Sequence, residues 1–294
     1  MKTQEIGLNV NMDDICELFG ITRQAHYQQI KRDETRTLEN VIIVEMVRQV
    51  RRKHPRMGCR KVLHKIQPML AQEGLQIGRD CLFDLLREAE LLVKTKKKFR
   101  PTTISGITRA PNRLPGIIVS HCDQVWVCDI TYLTLRENHF AYLFLLMDLY
   151  SRYIVGWHLS PSLAADGALI SLDMALSHRS NSQEELIHHS DHGVQYTNRS
   201  YQTRLLENNL LASMGAVGNC YDNIYAERVI GILKGEYSLN LPFVHLNQLL
   251  SVVEEVIDLY NADRPHLSLG MATPWDVYLG KTCSAPVIAF PLAV

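Results

Sequence analysis

Apolar and polar residues follow a helical period in the first hundred residues of the chain and a strand period after them. Residues 12–32 predict two short helices around Gly20, with Thr22 capping the second. The apolar residues expected to face inward are Ile15, Leu18, Ile21, Tyr27 and Ile30. Two helices joined by a glycine turn have the shape of a helix-turn-helix, although a plain helical hairpin shows the same pattern.

A second helical pair is predicted at residues 51–74 and 78–92. Apolar residues recur at helical spacing in both members, as Leu63, Ile66, Met69 and Leu70 and as Leu82, Leu85, Leu86 and Leu91. Pro101, Pro111 and Pro115 then mark a linker. We therefore expect a helix-turn-helix-like segment at 1–50, a second helical domain at 51–100, a linker at 101–120, a further domain at 121–282 and a tail at 283–294.

The pattern from residue 121 onward indicates a mixed sheet. Three strand-forming stretches, 124–135, 139–151 and 152–161, follow one another with short turns, as in an antiparallel meander. After them come a helix at 165–179, a strand at 186–191, a helix at 199–210, a strand at 210–214, and helices at about 221–239 and 247–262. The predicted fold class is α/β, a mixed sheet with flanking helices behind an all-α front region.

The formal net charge of the chain is zero, but its charges are unevenly distributed. Residues 1–110 carry 21 lysines and arginines against 13 aspartates and glutamates, a net of +8. Residues 111–294 carry 10 against 18, a net of −8. This split indicates a module that grips a polyanion followed by one that gathers carboxylates, or two solvated surfaces that attract each other.

The composition indicates neither a disulfide framework nor a membrane protein. The seven cysteines are odd in number and form no Cys-x-x-Cys pair, which also argues against a zinc ribbon. No apolar run reaches membrane-spanning length, and the N-terminus lacks the apolar core of a signal peptide. We expect a cytoplasmic protein with reduced thiols.

Basic residues are dense in two stretches beside the second helical pair, five within residues 51–60 and five within 94–102. Such residues mainly contact the phosphates of DNA, so the affinity for DNA should fall steeply as the salt concentration rises. The two stretches indicate that 51–100 is a basic helical DNA-binding domain. The residues predicted to bind DNA, in these stretches and directly after the first, are Arg51, Arg52, Lys53, Arg56, Arg60, Lys61, Lys96, Lys97 and Lys98.

Three acids of the back half have unusual surroundings. Asp129 lies in the middle of a predicted strand, where aspartate is rare, Asp191 opens a glycine-bearing loop after a strand, and Glu227 lies on a helix. The intervals between them contain 61 and 35 residues. Acids at neighbouring strand ends and on an overlying helix can converge, and a divalent cation reverses the repulsion between clustered carboxylates. A metal would then be the counter-charge of Asp129.

Alternatives stay open from the residues alone. Asp129 can instead point to solvent from an edge strand. His188 and His189 suggest a pair of metal ligands, but adjacent strand residues point to opposite faces, so we interpret both as structural. Three further acids compete for a place in the site: Asp123, Asp148 and Asp222.

Four stretches of the chain resemble the OrfB-type bacterial insertion-sequence transposases, which carry a retroviral-integrase-like Asp-Asp-Glu catalytic core. They are WVCDITYL around Asp129, HHSDHGVQYTN around Asp191, GNCYDNIYAERVIGILKGE around Glu227, and YNADRPHLSLGMATPWDVY near the C-terminus. The 35-residue interval is the usual one in that family. CELFGITRQAHYQ and HPRMGCRKV resemble the segments that precede its core, so the resemblance runs from about residue 12 to 280.

The resemblance implies an RNase H-like integrase catalytic core at 121–282, in which Asp129, Asp191 and Glu227 bind two Mg²⁺ ions, with Mn²⁺ as a substitute. It implies that Lys234, two helical turns after Glu227 and on the same face, contacts transposon-end DNA. The residues expected to shape the loop after Asp191 and the start of the helix carrying Glu227 are Gly193, Gln195, Tyr196, Asn219 and Asn223.

The implied chemistry is phosphoryl transfer, in which water cuts a strand and the released 3′-hydroxyl attacks another phosphodiester in line. The implied partners are double-stranded DNA of the terminal repeats and the target, further copies of the chain on that DNA, and an upstream helix-turn-helix protein, joined by frameshifting in many members. Two other functions stay open: a metal-dependent nuclease that hydrolyses without joining, and a DNA-binding regulator or decayed remnant.

Overall fold

The computed structural model describes residues 12–93, 110–179, 184–215, 223–282 and 287–292. The chain divides into two compact units, Met1–Val50 with Ile66–Leu92 and Arg51–Lys65 with Val93–Val294. Within the described ranges, no helix is both long enough and apolar enough to cross a membrane. Six residues named in the sequence analysis lie outside those ranges: Lys96, Lys97, Lys98, Pro101, Asn219 and Asp222.

The front of the chain is helical. Its helices are α1 (Met12–Leu18), α2 (Arg23–Lys53), α3 (Cys59–Gln72) and α4 (Arg79–Glu88). Gly20 adopts a φ of +64° between α1 and α2, and the Thr22 hydroxyl caps α2 by accepting the Ala25 N–H at 3.1 Å. Predicted apolar positions of the second pair are buried, namely Ile66, Leu70, Leu82, Leu85 and Leu86.

Two expectations for this region are wrong. The helix predicted to end near residue 32 continues to Lys53, and most apolar residues expected to face inward are exposed, namely Leu18, Ile21, Tyr27 and Ile30. Residues 23–40 are mainly polar, so burial along α2 begins only at Ile43. The helix predicted to begin at residue 51 begins at Cys59, because Pro55 lacks an N–H and disfavours helical geometry in the residue before it.

The back of the chain is built around a mixed sheet. Its elements are β1 (Ile118–Val119), β2 (Val125–Thr134), β3 (Phe140–Asp148), β4 (Ile154–Ser160), α5 (Ala165–His178), β5 (Leu186–Ser190), α6 (Arg199–Glu207), β6 (Leu210–Met214), α7 (Ile224–Glu236), α8 (Leu246–Asp258), α9 (Pro274–Tyr278) and β7 (Ile288–Ala289). The five-stranded sheet has the order β4-β3-β2-β5-β6, while β1 and β7 form a separate antiparallel pair.

The sheet has the predicted topology. β2, β3 and β4 form an antiparallel meander, and β5 and β6 extend it in parallel with β2. Its two faces bury separate apolar cores, one shared with α7 and α8 and the other with α5 and α6. A Cβ at Gly156 would lie 2.1 Å from the Ser171 carbonyl oxygen, so only glycine lets α5 approach β4 this closely. This is the RNase H-like α/β architecture that the resemblance implies.

The edge strands β4 and β6 are each met by a segment from outside the sheet. After α8 the chain continues as a π-helix, Leu259–Asp263. Within it, Asn261 accepts the Ile154 N–H at 2.9 Å and donates from Nδ2 to the Ile154 carbonyl oxygen at 3.1 Å. At the other edge, the Met214 N–H donates to the Pro111 carbonyl oxygen at 3.3 Å. The outward backbone groups at these strand ends are therefore satisfied within the chain.

Candidate active site

β2 directs Asp129 toward the side of the sheet that α7 covers. Successive strand residues point to opposite faces. Val125 and Val127 belong to the apolar core shared with α7, whereas Trp126 and Cys128 belong to the core on the other face. Asp129 follows the alternation of Val125 and Val127, so its carboxylate lies on the α7 side.

The parallel pairing of β2 with β5 places Asp191 beside Asp129. Val127 is the register partner of His189, so two residues further on, Asp129 and Asp191 take corresponding positions on chains about 4.8 Å apart. Asp191 directly follows β5, and its Oδ1 accepts the Gly193 N–H at 2.9 Å. A Cβ at Gly193 would lie 3.0 Å from that oxygen, so glycine allows the loop to turn tightly around the carboxylate.

Glu227 reaches the same region from the first turn of α7, which packs against β2 and β3. Asn223, the residue before α7, donates from Nδ2 to the Cys128 carbonyl oxygen at 3.1 Å. Cys128 immediately precedes Asp129 on β2. The buried Asn223 side chain therefore ties the start of α7 to the strand and sets the position of Glu227 relative to Asp129.

The three carboxylates interact electrostatically. Burial raises the pKa of Asp129 to about 7, and the charges of Asp191 and Glu227 add to the increase. A hydrogen bond from the Ile130 N–H to Asp129 Oδ1, at 2.8 Å, opposes it. Burial and the charge of Asp191 also raise the pKa of Glu227. Each acid therefore lies within electrostatic reach of another, and their repulsion disfavours full ionisation.

Lys234 lies beside this group of acids. Burial lowers the pKa of its ammonium, and the charge of Asp129 opposes that decrease. Its Nζ lies 4.7 Å from the centre of the Tyr132 ring, a cation–π distance. Tyr132 is exposed on β2.

The donors fit a hard divalent cation. Carboxylate oxygens are the ligands that Mg²⁺ prefers, and a bound cation would offset the repulsion that raises the pKa of Asp129. As the side chains stand, no three His, Cys, Asp or Glu residues in the described part of the chain form a complete metal-binding group. The three acids therefore supply the donor type that a divalent cation prefers, without a preformed coordination geometry.

Two of the competing acids have structural partners. Asp148 is fully buried, which raises the pKa of its carboxyl to about 6. It accepts the Ser151 N–H at 2.7 Å and the Asp123 N–H at 2.8 Å. Asp123 in turn accepts the Trp126 indole N–H at 2.9 Å and the Tyr278 hydroxyl at 3.0 Å. Asp148 therefore stabilises the turns that contain Ser151 and Asp123, and Asp123 connects the start of β2 with α9.

Gln195 and Tyr196 are buried in the loop after Asp191. Gln195 Nε2 donates to the Leu163 carbonyl oxygen at 2.8 Å, which anchors the loop to the segment before α5. The Tyr196 ring packs edge-on against Tyr201, with centroids 5.6 Å apart. These contacts hold the loop on which Asp191 lies.

The two adjacent histidines of β5 make different contacts. His188 Nε2 lies 2.9 Å from the Tyr201 hydroxyl, and His189 Nδ1 lies 2.9 Å from the Ser213 hydroxyl. Both rings are buried, and burial lowers the pKa of His188 to about 3. Their contacts are those of structural residues on opposite sides of the sheet.

Comparisons with known proteins agree with this geometry. Two family models described as integrase core domain match residues 120–220 and 208–274, ranges that contain Asp129, Asp191 and Glu227. The chain is 33% identical over 267 residues to the insertion element IS600 uncharacterized 31 kDa protein of Shigella sonnei, with 88% of this chain and 96% of that protein covered. It is 30% identical over 254 residues to the transposase for insertion sequence element IS629 of Shigella sonnei, with 86% and 83% covered.

The chain belongs to the OrfB-type insertion-sequence transposases. Among solved structures, the transposase is similar to the HTLV-2 integrase catalytic core domain in complex with magnesium. That similarity has a TM-score of 0.42 and 16% identity, and covers 57% of the transposase and 99% of the other chain.

The transposase places its predicted DNA-binding residues in different settings. Arg52, Lys53 and Arg60 are exposed, and Arg51 and Arg56 are half-buried. Lys61 is buried, and its Nζ donates to Glu236 Oε1 at 2.7 Å. The Lys61 ammonium is committed to this ion pair, so Lys61 is not among the residues that we propose to bind DNA.

Sequence reasoning missed how the segment between α2 and α3 binds the end of α7. His54 is buried, with Nδ1 2.9 Å from the Tyr237 hydroxyl and Nε2 2.8 Å from Asp263 Oδ2. Lys65 also pairs with Asp263. The available signal was that HPRMGCRKV and YNADRPH both belong to the resembling stretches of this transposase.

His192, the residue after Asp191, was also passed over. Both of its ring nitrogens are buried and have no hydrogen-bond partner among the described residues. The signal for it was its place beside the acid in HHSDHGVQYTN. Unsatisfied polar atoms next to a candidate metal ligand mark His192 as a residue for mutagenesis in the transposase.

Proposed function

We propose that this transposase cleaves and joins insertion-sequence ends by two-metal phosphoryl transfer, with Asp129, Asp191 and Glu227 as the metal ligands. Membership of the family makes DNA transposition and integration its function. The observation that carries the finer proposal is the register of β2 and β5, which brings Asp129 and Asp191 together on the side of the sheet where α7 presents Glu227.

The chemistry consists of two displacements at phosphorus. Water first hydrolyses a phosphodiester at the end of the element and leaves a 3′-hydroxyl. That hydroxyl then attacks a second phosphodiester, so one ester is exchanged for another and no ATP is consumed. Divalent ions supply activation of the attacking oxygen and stabilisation of the developing charge when they are bound.

The chain's own residues hold and orient the reacting groups. The three carboxylates offer oxygen donors, and Lys234, held over Tyr132, offers a positive charge for the DNA strand that enters the site. Gly193, Gln195 and Tyr196 support the loop of Asp191. Asn223 positions the helix that carries Glu227. Such positioning accounts for much of the rate enhancement in phosphoryl transfer.

We further propose that the basic region at 51–100 holds the DNA, with Arg51, Arg52, Lys53, Arg56 and Arg60 on phosphates. Exposed and half-buried guanidinium and ammonium groups suit such contacts. Bridging two element ends and a target takes at least two copies of the chain on the DNA. Fusion to an upstream helix-turn-helix protein would add a second DNA-binding element.

The test is strand cleavage and joining on a labelled duplex that carries a terminal repeat, with Mg²⁺ or Mn²⁺. Wild type is compared with Glu227→Gln and with Glu207→Gln, an exposed glutamate of α6 that serves as the matched control. We expect joined product from wild type and from the control. Glu227→Gln should lose roughly 1,000-fold in rate, because removing a metal ligand costs several kcal/mol of transition-state stabilisation.

Other outcomes identify the rival functions. Cleavage without joining, abolished by Glu227→Gln, would indicate a nuclease or a missing fused partner. DNA binding with no chemistry from any variant would indicate a regulator, and the metal-binding role of the three acids would have to be abandoned.

A further inference from the structure

A cleft of about 320 Å³ lies along α7 on the flank opposite Glu227. Glu236 lines this cleft and follows Glu227 by nine residues, about two and a half turns at 3.6 residues per turn, so the two side chains leave the helix in opposite directions. The charged and imidazole-bearing residues that line the cleft are Lys61, Arg152, Arg228, Glu236, Arg264 and His266. The cleft is therefore separate from the proposed active site.

The cleft carries an excess of positive charge. Four of its polar residues are lysine or arginine, and Glu236 is its one acid. Glu236 accepts Lys61 Nζ at 2.7 Å and two guanidinium nitrogens of Arg264 at 2.8 Å each. Burial and the neighbouring cations, Arg264 first among them, lower the pKa of His266. One carboxylate thus faces four cations, so positive charge predominates among the residues that line the cleft.

Three buried nitrogen atoms in this cleft have no hydrogen-bond partner among the described residues. They are Arg152 Nη1, Arg264 Nη1 and His266 Nε2. Their residues are 9%, 4% and 8% exposed, so solvent reaches them poorly. An unsatisfied buried donor on a charged group is costly, and native structures rarely retain one without a ligand or a functional reason.

The two buried arginines are oriented in advance. The Arg152 guanidinium carbon lies 4.2 Å from the centre of the Tyr225 ring, and that of Arg264 lies 5.8 Å from the centre of the Tyr260 ring. Arg152 also has a φ of +64°, a conformation that glycine or asparagine adopts more easily. The ring contacts hold both guanidinium groups in place before any ligand binds.

We propose that this cleft is an anion-binding site that takes a phosphate group. Guanidinium forks match phosphate oxygens, and several cations converging with free N–H groups favour the more highly charged anion over a carboxylate. The phosphate can belong to the backbone of bound DNA or to a free phosphate compound, since both present the same oxygens. The proposal does not depend on the strand-transfer chemistry.

Thermal unfolding of the full-length chain tests the site, in sodium phosphate and in sodium chloride at equal ionic strength and pH. We expect phosphate to raise the unfolding temperature of wild type above its value in chloride. Arg228→Gln, at an exposed position of the cleft, should need roughly tenfold more phosphate for the same rise, as for the loss of one charged hydrogen bond.

Arg204→Gln is the matched control, because Arg204 is an exposed arginine of α6 that pairs with Asp173. It should respond to phosphate as wild type does. Arg152→Gln should abolish the response. Since Arg152 is buried and its replacement can unfold the chain, Arg228→Gln decides the result in that case. An equal phosphate response in all variants, or none in wild type, would overturn the proposal.

A second measurement identifies the source of the phosphate. Binding of a short DNA duplex is followed against salt concentration for wild type and Arg228→Gln. If DNA supplies the phosphate, the salt slope should fall by about 0.9 in the variant. If the slope is unchanged while the phosphate response is weakened, the site serves a free phosphate compound. Both results support the site, and neither depends on whether strands are joined.

Discussion

Asp129 occupies a strand position between Cys128 and Ile130, where burial and two neighbouring acids raise the pKa of its carboxyl to about 7. An uncompensated carboxylate in such a place destabilises the folded chain. The same features make it a strong candidate ligand, since the strand and the paired β5 hold it rigidly beside Asp191. Precision at this residue comes from backbone pairing rather than from side-chain contacts.

His188 makes a testable contribution to the pH dependence of stability. Its pKa is about 3 in the folded chain against 6.5 unperturbed, because burial disfavours the charged ring. Between these values the unfolded state binds a proton that the folded state does not. The contribution of the neutral His188 ring to the free energy of unfolding is therefore fully present above pH 6.5. It should fall by up to about 1.4 kcal/mol per pH unit as the pH drops from 6.5 toward 3.

Chemical denaturation between pH 3 and 8 measures this effect. His188→Gln should flatten the slope below pH 6.5, whereas His245→Gln, at an exposed position, should leave it unchanged. Identical slopes for wild type and His188→Gln would show that the buried imidazole is not the titrating group.

The sequence could single out residues with an unusual local setting, whose roles stay predictions, but it could not reveal the contacts that a distant residue makes. Asp129, Asp191 and Glu227 were named from their settings and spacing. Lys61 was grouped with DNA-binding residues, yet it is buried against Glu236, 175 positions away. The sequence around Lys61 contains no trace of that carboxylate, so local charge density was a misleading guide.

α7 connects β2 at its start with the segments around Lys61 and Arg264 at its end. Its first turn carries Glu227, and the preceding Asn223 bonds to β2. Its last residue, Glu236, binds Lys61 and Arg264. The helix is thus fixed at both ends to different segments, and we expect it to move little as a unit.

Asn223→Ala tests the tie at the start of α7. Loss of one buried hydrogen bond should lower the free energy of unfolding by about 1 kcal/mol. Because Glu227 is then less well positioned, the rate of strand cleavage should fall by roughly 100-fold.

Asn198→Ala is the control for this variant. Asn198 caps α6 by accepting the Ser200 N–H at 2.9 Å, so its loss should cost a similar stability without touching the acids. Equal cleavage rates in the two variants, with equal stability losses, would mean that Asn223 has only a structural role.

Elements of the back half were predictable because each strand and helix carries its own period. The helix expected at 165–179 is Ala165–His178, and the strand expected at 186–191 is Leu186–Ser190. The π-helix Leu259–Asp263 was not predictable, since the apolar period runs on through it. It coincides with the bonds from Asn261 to Ile154, which lie 107 positions apart.

At the scale of the whole molecule, the charge split predicts that the front of the chain binds DNA. Residues 1–110 carry a net charge of +8, and residues 111–294, which contain Asp129, Asp191 and Glu227, carry a net charge of −8. Such separation keeps the phosphate backbone attracted to one region while leaving acids available for cations. The charge split is visible in the composition, whereas the contacts of the 51–65 segment with the core depend on tertiary structure.

Replacing Arg52, Lys53 and Arg60 together by Gln tests the basic segment. Affinity for duplex DNA should fall, and the slope of log K against log salt should decrease by up to about 2.7 for three lost phosphate contacts. The control replaces three exposed cations of the acidic region, Arg136, Arg204 and Lys281. Equal changes in slope for the two triple variants would remove the special role of residues 51–60.

The closed strand ends of the sheet restrict how copies of this protein can assemble. Asn261 covers the start of β4, and Pro111 covers the end of β6. An exposed edge is where a sheet recruits a strand from a neighbour, which leads to swapping or aggregation. Copies that gather at high local concentration on one DNA molecule would have to displace these caps to pair along whole strands. We therefore expect copies of the chain to associate through side chains rather than by pairing strand with strand, which keeps the association reversible.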